Sequence, residues 1–260
     1  DVLNVTAGSD LLAFTQAIFP IAELDVDVRE PYSTAADLAT KGGWGQFIRE
    51  IRLLRIAEGS DRYYYGAVEL PPQSAWGGLG YVGYGVAVGR ASDRTLAHEL
   101  GHNFSLRHAP CGDPSGPDRN YPYGGGSIGR WGYDSQNEEL LDPASVVDVM
   151  SYCGPKWISD YNFEKVMAYR DEHDWPAGVP SRQLEDALVL WGSVTEGSLL
   201  LEPAIRLPLP AALPAREGPY LLEGLSDSGA TVFSLRFAPA QTDHDGRRHF
   251  VFSLPIDPAT

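Results

Sequence analysis

The sequence predicts an α+β chain in two parts, a mixed helix-and-strand domain over residues 1–178 and a small all-β, sandwich-like domain over 179–260. Three observations predict it. Up to about residue 173, stretches with helical apolar spacing alternate with strand-like runs. "WPAGVPSR" (175–182) then places two prolines where a helix must stop. Beyond it only strand-like runs occur, separated by Pro, Gly, Asp and Ser, with the even spacing of a small sandwich.

In chain order, "NVTA" (4–7) and "ELDVDVRE" (23–30) read as short strands, and "SDLLAFTQAIF" (9–19) as a helix that its Ser-Asp start can cap. Residues 34–59 have helical spacing, interrupted by Gly42 and Gly43, with Ile48, Ile51, Leu54 and Ile56 as the apolar face. "RYYYGAVEL" (62–70) reads as a strand. "GGLGYVGYGVAVGR" (77–90) lacks the lysine of a phosphate loop and feeds no helix directly, so it reads as a glycine-relieved strand. A helix starts at Ser92 or Asp93. The stretch 109–147 is a long loop, and 159–173 a capped helix on which Met167 is expected in the core. The later strands are expected at 186–194, 197–207, 219–225, 230–238 and 249–256. The last closes near the C-terminus, which leaves room for a native chain that continues.

A formal net charge of −15 favours solubility and disfavours nucleic acid or an anionic membrane as partner. No run reaches the roughly 18 apolar residues of a membrane span. The chain opens on "DVLNVTAGSD" without a signal peptide, as a mature product or an excised segment would. Cys111 and Cys153 flank the histidine cluster described next. They are either one disulfide, favouring a secreted setting, or two buried thiols.

The chemistry concentrates in "TLAHELGHNFSLRHAPC" (95–111), which holds His98, His102 and His108, half of the chain's 6 histidines. On a helix, His98 and His102 project from one face a turn apart, and Glu99 leans over the space beside them. If the helix ends near Ser105 and the chain turns back, His108 supplies a third imidazole. Three neutral imidazoles leave the fourth position of a tetrahedral zinc ion open, as catalytic sites do. His173, His244 and His249 are scattered and read as solvated or packing residues.

"HELGHNFSLRH" resembles the His-Glu-x-x-His-x-x-Gly-x-x-His signature of the metzincin zinc peptidases, and "DVMSYC" (148–153) resembles their methionine turn. The resemblance implies a twisted mixed sheet with an active-site helix, one catalytic zinc ion on His98, His102 and His108, and Glu99 as general base. Met150 would form the base of the site and Tyr152 would assist the oxyanion. It further implies an edge strand that pairs with substrate, here Gly80, Tyr81, Val82 and Gly83. Ser105 departs from the pattern, since the family's glycine commonly ends the helix in a left-handed conformation.

Asp113, Asp118, Asn120, Asp134 and Asp142 are candidates for a calcium site, although their spacing matches no known loop and a solvated acidic loop also explains them. Asn4 and Asn103 open glycosylation sequons. The expectation is a secreted zinc endopeptidase acting on polypeptides or glycoproteins. Its alternatives are a zinc hydrolase of non-peptide amides or esters, and a surface-binding protein that uses the metal domain as scaffold.

Overall fold

The computed structural model describes residues 10–173, 184–195, 198–214 and 217–256. The expected strand and sequon at 4–7, the proline boundary at 175–182 and the division at 178/179 lie outside these residues. The chain is mixed α+β. It separates into two units, one of Asp1–Ile51, Tyr63–Pro176 and Asp243–Asp245, the other of Arg52–Arg62, Ala177–Thr242 and Gly246–Thr260.

In the first unit a short 3-10 turn, Asp10–Leu12, runs into α1 (Ala13–Ile18), which buries Phe14 and Ile18. Residues 23–30 form no strand. Their alternation has the right period, but a strand also needs a neighbouring strand for its ladder, and among the described residues no sheet includes them. Thr40 starts α2 (Lys41–Ala57), its Oγ1 accepting the Gly43 N–H at 3.0 Å. The two glycines expected to interrupt this helix therefore form its first turn. Trp44, Phe47, Ile48 and Ile51 then bury one stripe at helical spacing.

β1 (Tyr64–Val68), β2 (Gly78–Gly80) and β3 (Val86–Arg90) make a mixed sheet in the order β1-β3-β2, with β1 parallel and β2 antiparallel to β3. The glycine-rich stretch is thus a hairpin rather than one strand. Gly83, at a φ of +68°, supports its turn, and the Tyr81 N–H closes on Val86 O at 3.2 Å. Of the expected substrate strand only Gly80 lies within β2, because the chain reverses through Val82 and Gly83. β2 is an edge strand.

α3 (Asp93–Asn103) begins at Ser92, whose Oγ accepts the Thr95 N–H at 3.4 Å. Asn103 is buried and spends its amide on the hairpin, donating to Tyr81 O and Val86 O, each at 3.0 Å. The long connection that follows holds an antiparallel hairpin of β4 (Gly132–Asp134) and β5 (Glu139–Leu141). Next come β6 (Val147–Asp148) and its parallel partner β7 (Lys156–Trp157). Ser159 caps α4 (Asp160–His173), its Oγ accepting the Asn162 N–H at 3.1 Å. Met167 is exposed rather than in the core, because α4 turns Asn162 and Val166 inward and Met167 sits a residue past that stripe. The core of this unit gathers Phe14, Ile18, Ala97, Leu106, Val149, Met150, Trp157 and Val166.

The second unit holds β8 (Glu185–Thr195), β9 (Ser198–Leu201), β10 (Ile205–Leu209), β11 (Tyr220–Leu225), β12 (Thr231–Phe237), β13 (Ala240–Gln241) and β14 (Arg248–Pro255). All of their pairings are antiparallel. β8 is central, with β14 on one edge and β9 and β10 sharing the other. The run 197–207 divides between β9 and β10 around Pro203, which has no N–H for a ladder. β11 and β12 form a separate hairpin whose Phe237 packs on Phe250 and Phe252, ring centroids 4.9 and 5.0 Å away. Ile56, from the end of α2, joins Ala187, Val189, Leu209 and Val251 in a second apolar cluster.

Candidate metal centre

α3 carries His98 and His102 a turn apart, their ring centroids separated by 5.0 Å. The helix ends at Phe104, and Ser105 adopts a φ of +68°. The Leu106 N–H then donates to Gly101 O at 3.1 Å and the Ser105 N–H to His102 O at 2.8 Å. This nested pair is the Schellman closure of a helix end. It reverses the chain and returns His108 to the same side, with ring centroids 4.7 Å from His102 and 5.3 Å from His98.

Each imidazole is fixed through Nδ1: His98 to Val149 O at 2.8 Å, His102 to Leu106 O at 2.9 Å and His108 to Ser115 O at 2.7 Å. A carbonyl can only accept, so Nδ1 carries a proton, and in the neutral ring Nε2 is the atom left with a lone pair. The Nε2 atoms of His102 and His108 are buried without a hydrogen-bond partner. One ligand atom from each of the three residues lies within 4.8 Å of the others. Burial, reinforced by His102, holds the His98 imidazole well below its ordinary pKa and brings that of His108 down to about 4. Three oriented imidazoles in one cluster, two of them with a buried and unpaired Nε2, fit a metal such as zinc.

Glu99 is buried beside them, and its Oε2 has no hydrogen-bond partner. Burial first, and the Asp243 carboxylate second, push its pKa well above the usual carboxylate range, while Lys156 opposes the shift. The space for this side chain depends on Gly78, where a Cβ would fall 2.4 Å from Glu99 Oε1. Gly101 plays the same part on the helix, since a Cβ there would fall 2.4 Å from Sδ of the fully buried Met150.

The methionine turn is held by Asp148. Its Oδ1 accepts the Met150 N–H at 2.8 Å and the Asn162 amide at 2.9 Å, and its Oδ2 accepts the Ser159 N–H at 2.8 Å. The turn runs beside the segment after His108. Ala109 N–H donates to Met150 O at 3.0 Å and Tyr152 N–H to Cys111 O at 2.9 Å, and a Cys111–Cys153 disulfide joins the two segments. Tyr152 stands over His108 with ring centroids 4.9 Å apart. Burial, then the charges of Asp243 and Glu99, push its phenol upward.

Two residues of this cluster had no signal in the sequence. The Asp243 side chain is 1% exposed, with Oδ2 lying 3.1 Å from His102 Nε2 and 3.7 Å from His108 Nε2. His244, expected to be solvated or packing, instead stacks on Trp76 with centroids 4.9 Å apart and places Nε2 3.0 Å from Gly78 O. Its Nδ1 lies 2.8 Å from the Tyr152 hydroxyl. In sequence both sit in an unremarkable polar turn, "TDHDGR".

The candidate calcium residues are not brought together. Asp118 is engaged by Lys165 at 2.9 Å and Tyr161 at 3.0 Å, while Asp134 and Asp142 each accept from backbone N–H groups two residues on. Among the described residues, every group able to hold a metal includes a histidine of the 98–108 cluster. His173 stacks on Tyr169, and His249 is buried within β14.

Residues 37–160 match the family model of Peptidase M66. The matched span runs from before α2 to the start of α4 and contains His98, Glu99, His102, His108, Met150 and Tyr152, but not Asp243. The similarity supports a metallopeptidase family and a peptidase acting on polypeptides. No curated protein matches the chain, and no solved structure does.

Proposed function

We propose that the chain is a secreted, zinc-dependent endopeptidase of metzincin type that cleaves extracellular proteins or glycoproteins, with residues from 179 onward forming a sandwich-like β-rich accessory domain. The observation that carries the reading is the convergence of three Nδ1-anchored imidazoles beside one buried carboxylate. His98, His102 and His108 would hold the zinc and Met150 would underpin it. Bound there, zinc supplies Lewis acidity, bringing the pKa of water to about 7 and polarising a peptide carbonyl.

Glu99 takes the proton of the attacking water and delivers it to the leaving amine nitrogen. Its environment already favours the protonated form that it must hold between the two transfers, and a cation alongside would offset that shift. The Tyr152 hydroxyl donates to the oxyanion of the tetrahedral state. Substrate binds as an extra strand along β2, where main-chain hydrogen bonds tolerate many side chains. The disulfide supports an extracellular setting.

Glu99→Gln tests the mechanism. The variant should retain zinc and lose casein cleavage by at least roughly 10²-fold, with wild-type cleavage abolished by a chelator and restored by zinc. Undiminished cleavage by the variant would remove Glu99 from its role. Hydrolysis of small esters without any peptide cleavage would replace the peptidase with a hydrolase of another substrate class.

A further inference from the structure

We propose that Asp243 is a fourth protein ligand of the metal, and that Asp243 and His244 form a built-in stopper occupying both the metal and the substrate edge of β2. The inference rests on the zinc-peptidase reading and deepens it, since nothing in the matched family span reaches residue 243.

The metal side comes first. Asp243 Oδ2 and the Nε2 atoms of His102 and His108 are all buried, all without a hydrogen-bond partner, and mutually within 3.1 and 3.7 Å where carboxylate meets imidazole. Asp243 groups as a ligand both with His108 and His244 and with Glu99 and His102. Asp243 faces two of the three imidazoles; bound beside all three it would complete a four-ligand set from protein alone, whereas a catalytic site keeps one position for water or substrate. With Asp243 as a ligand the set would be closed.

The substrate side is taken as well. Tyr81 N–H and Gly77 O hydrogen-bond to β3, so strand alternation turns the N–H and C=O groups of Gly78 and Gly80 toward the open edge. Those are the groups a substrate strand would use. Gly80 N–H donates to Asp243 Oδ1 at 3.1 Å, and Gly78 O accepts from His244 Nε2 at 3.0 Å. His244 Nε2 being the donor, its Nδ1 accepts from the Tyr152 hydroxyl at 2.8 Å, which occupies the group assigned to the oxyanion. Ser115 Oγ donates to His244 O at 2.5 Å, and Trp76 stacks on the ring. Two adjacent residues thus engage the metal cluster, the strand edge and the oxyanion donor together. The segment must leave before a peptide can enter.

The test compares zinc-loaded wild type with Asp243→Ala, Asp243→Asn and His244→Ala, each first checked for cooperative thermal unfolding. Acetohydroxamate, a small ligand directed at zinc, is titrated calorimetrically. If the stopper holds nine molecules in ten, its loss should tighten binding about 10-fold in Asp243→Ala. Asp243→Asn, which preserves the shape, and His244→Ala should tighten it less. Zinc retention against a chromophoric chelator should weaken by roughly 10-fold in Asp243→Ala as a ligand is lost, while casein cleavage rises. Equal acetohydroxamate affinity in all four proteins would overturn the stopper, and unchanged zinc retention would overturn the fourth ligand. Cleavage falling in step with zinc content would also overturn the stopper and make Asp243 a supporting ligand only. If no protein in the series cleaves any polypeptide, the peptidase reading fails, while the two binding measurements still decide the role of Asp243.

Discussion

Ser105 sits at a φ of +68°, where a side chain with a Cβ costs about 1–2 kcal/mol. The cost is tolerated because the reversal it produces is fixed on every side. Leu106 and Ser105 close onto the last turn of α3, and the Gly83 N–H adds a 2.9 Å bond to His102 O. Ser105→Gly should therefore stabilise the protein by about 1 kcal/mol, with a higher thermal midpoint and unchanged zinc stoichiometry. The residues of 98–108 were legible in sequence because their relation is local: helical spacing, a turn, and a third imidazole. Asp243 was not, because the chain gives no local reason for a residue so far downstream to face His102. Only the folded backbone brings that carboxylate to 3.1 Å from the imidazole.

At the level of elements, capping and stripe spacing carried the helices. Ser92 and Ser159 mark the starts of α3 and α4, whereas α2 starts only after Thr40, later than the helical stretch 34–59 implies, and α1 begins at Ala13 without a side-chain cap. Strands were harder to place, since alternation describes a strand's faces and not its partner. Residues 23–30 have the alternation but belong to no sheet among the described residues, whereas 77–90 has enough of it for one strand and folds as two. The methionine turn shows how much an element can depend on one side chain outside its motif. Asp148 satisfies Met150 N–H, Ser159 N–H and the Asn162 amide in the interior, so Asp148→Ala leaves buried donors unpaired. It should cost at least about 3 kcal/mol in denaturant unfolding, and zinc retention should weaken with it, because Val149 O of the same turn orients His98. Asp148→Asn, which keeps two acceptor lone pairs on one oxygen, should cost less.

At the scale of the whole chain, the change in composition near residue 180 separates helix-rich from strand-rich sequence, but membership of the two units does not follow it throughout. Arg52–Arg62 belongs with the later strands, and Asp243–Asp245 with the earlier elements. Composition reads along the chain and compactness does not, so such exchanges are invisible before folding. They predict that truncation at residue 178 will not yield an intact catalytic unit. Ile56 would lose Ala187, Val189, Leu209 and Val251, at a cost of about 1.5–3 kcal/mol for a buried aliphatic side chain. Hydrogen exchange in the last turns of α2 should rise sharply in the truncated protein, and unchanged protection there would disprove the dependence.

The hydrogen bonds that Asp243 and His244 make to Gly80 and Gly78 have a colloidal consequence as well as an enzymatic one. An unpaired strand edge is a template for any other extended chain, including another copy of the same protein, and natural sheets cover such edges to avoid association. Here the edge of β2 is covered by two side chains rather than by a strand. If these groups exclude a substrate strand as proposed, the same bonds would also limit edge-to-edge association between copies of the chain.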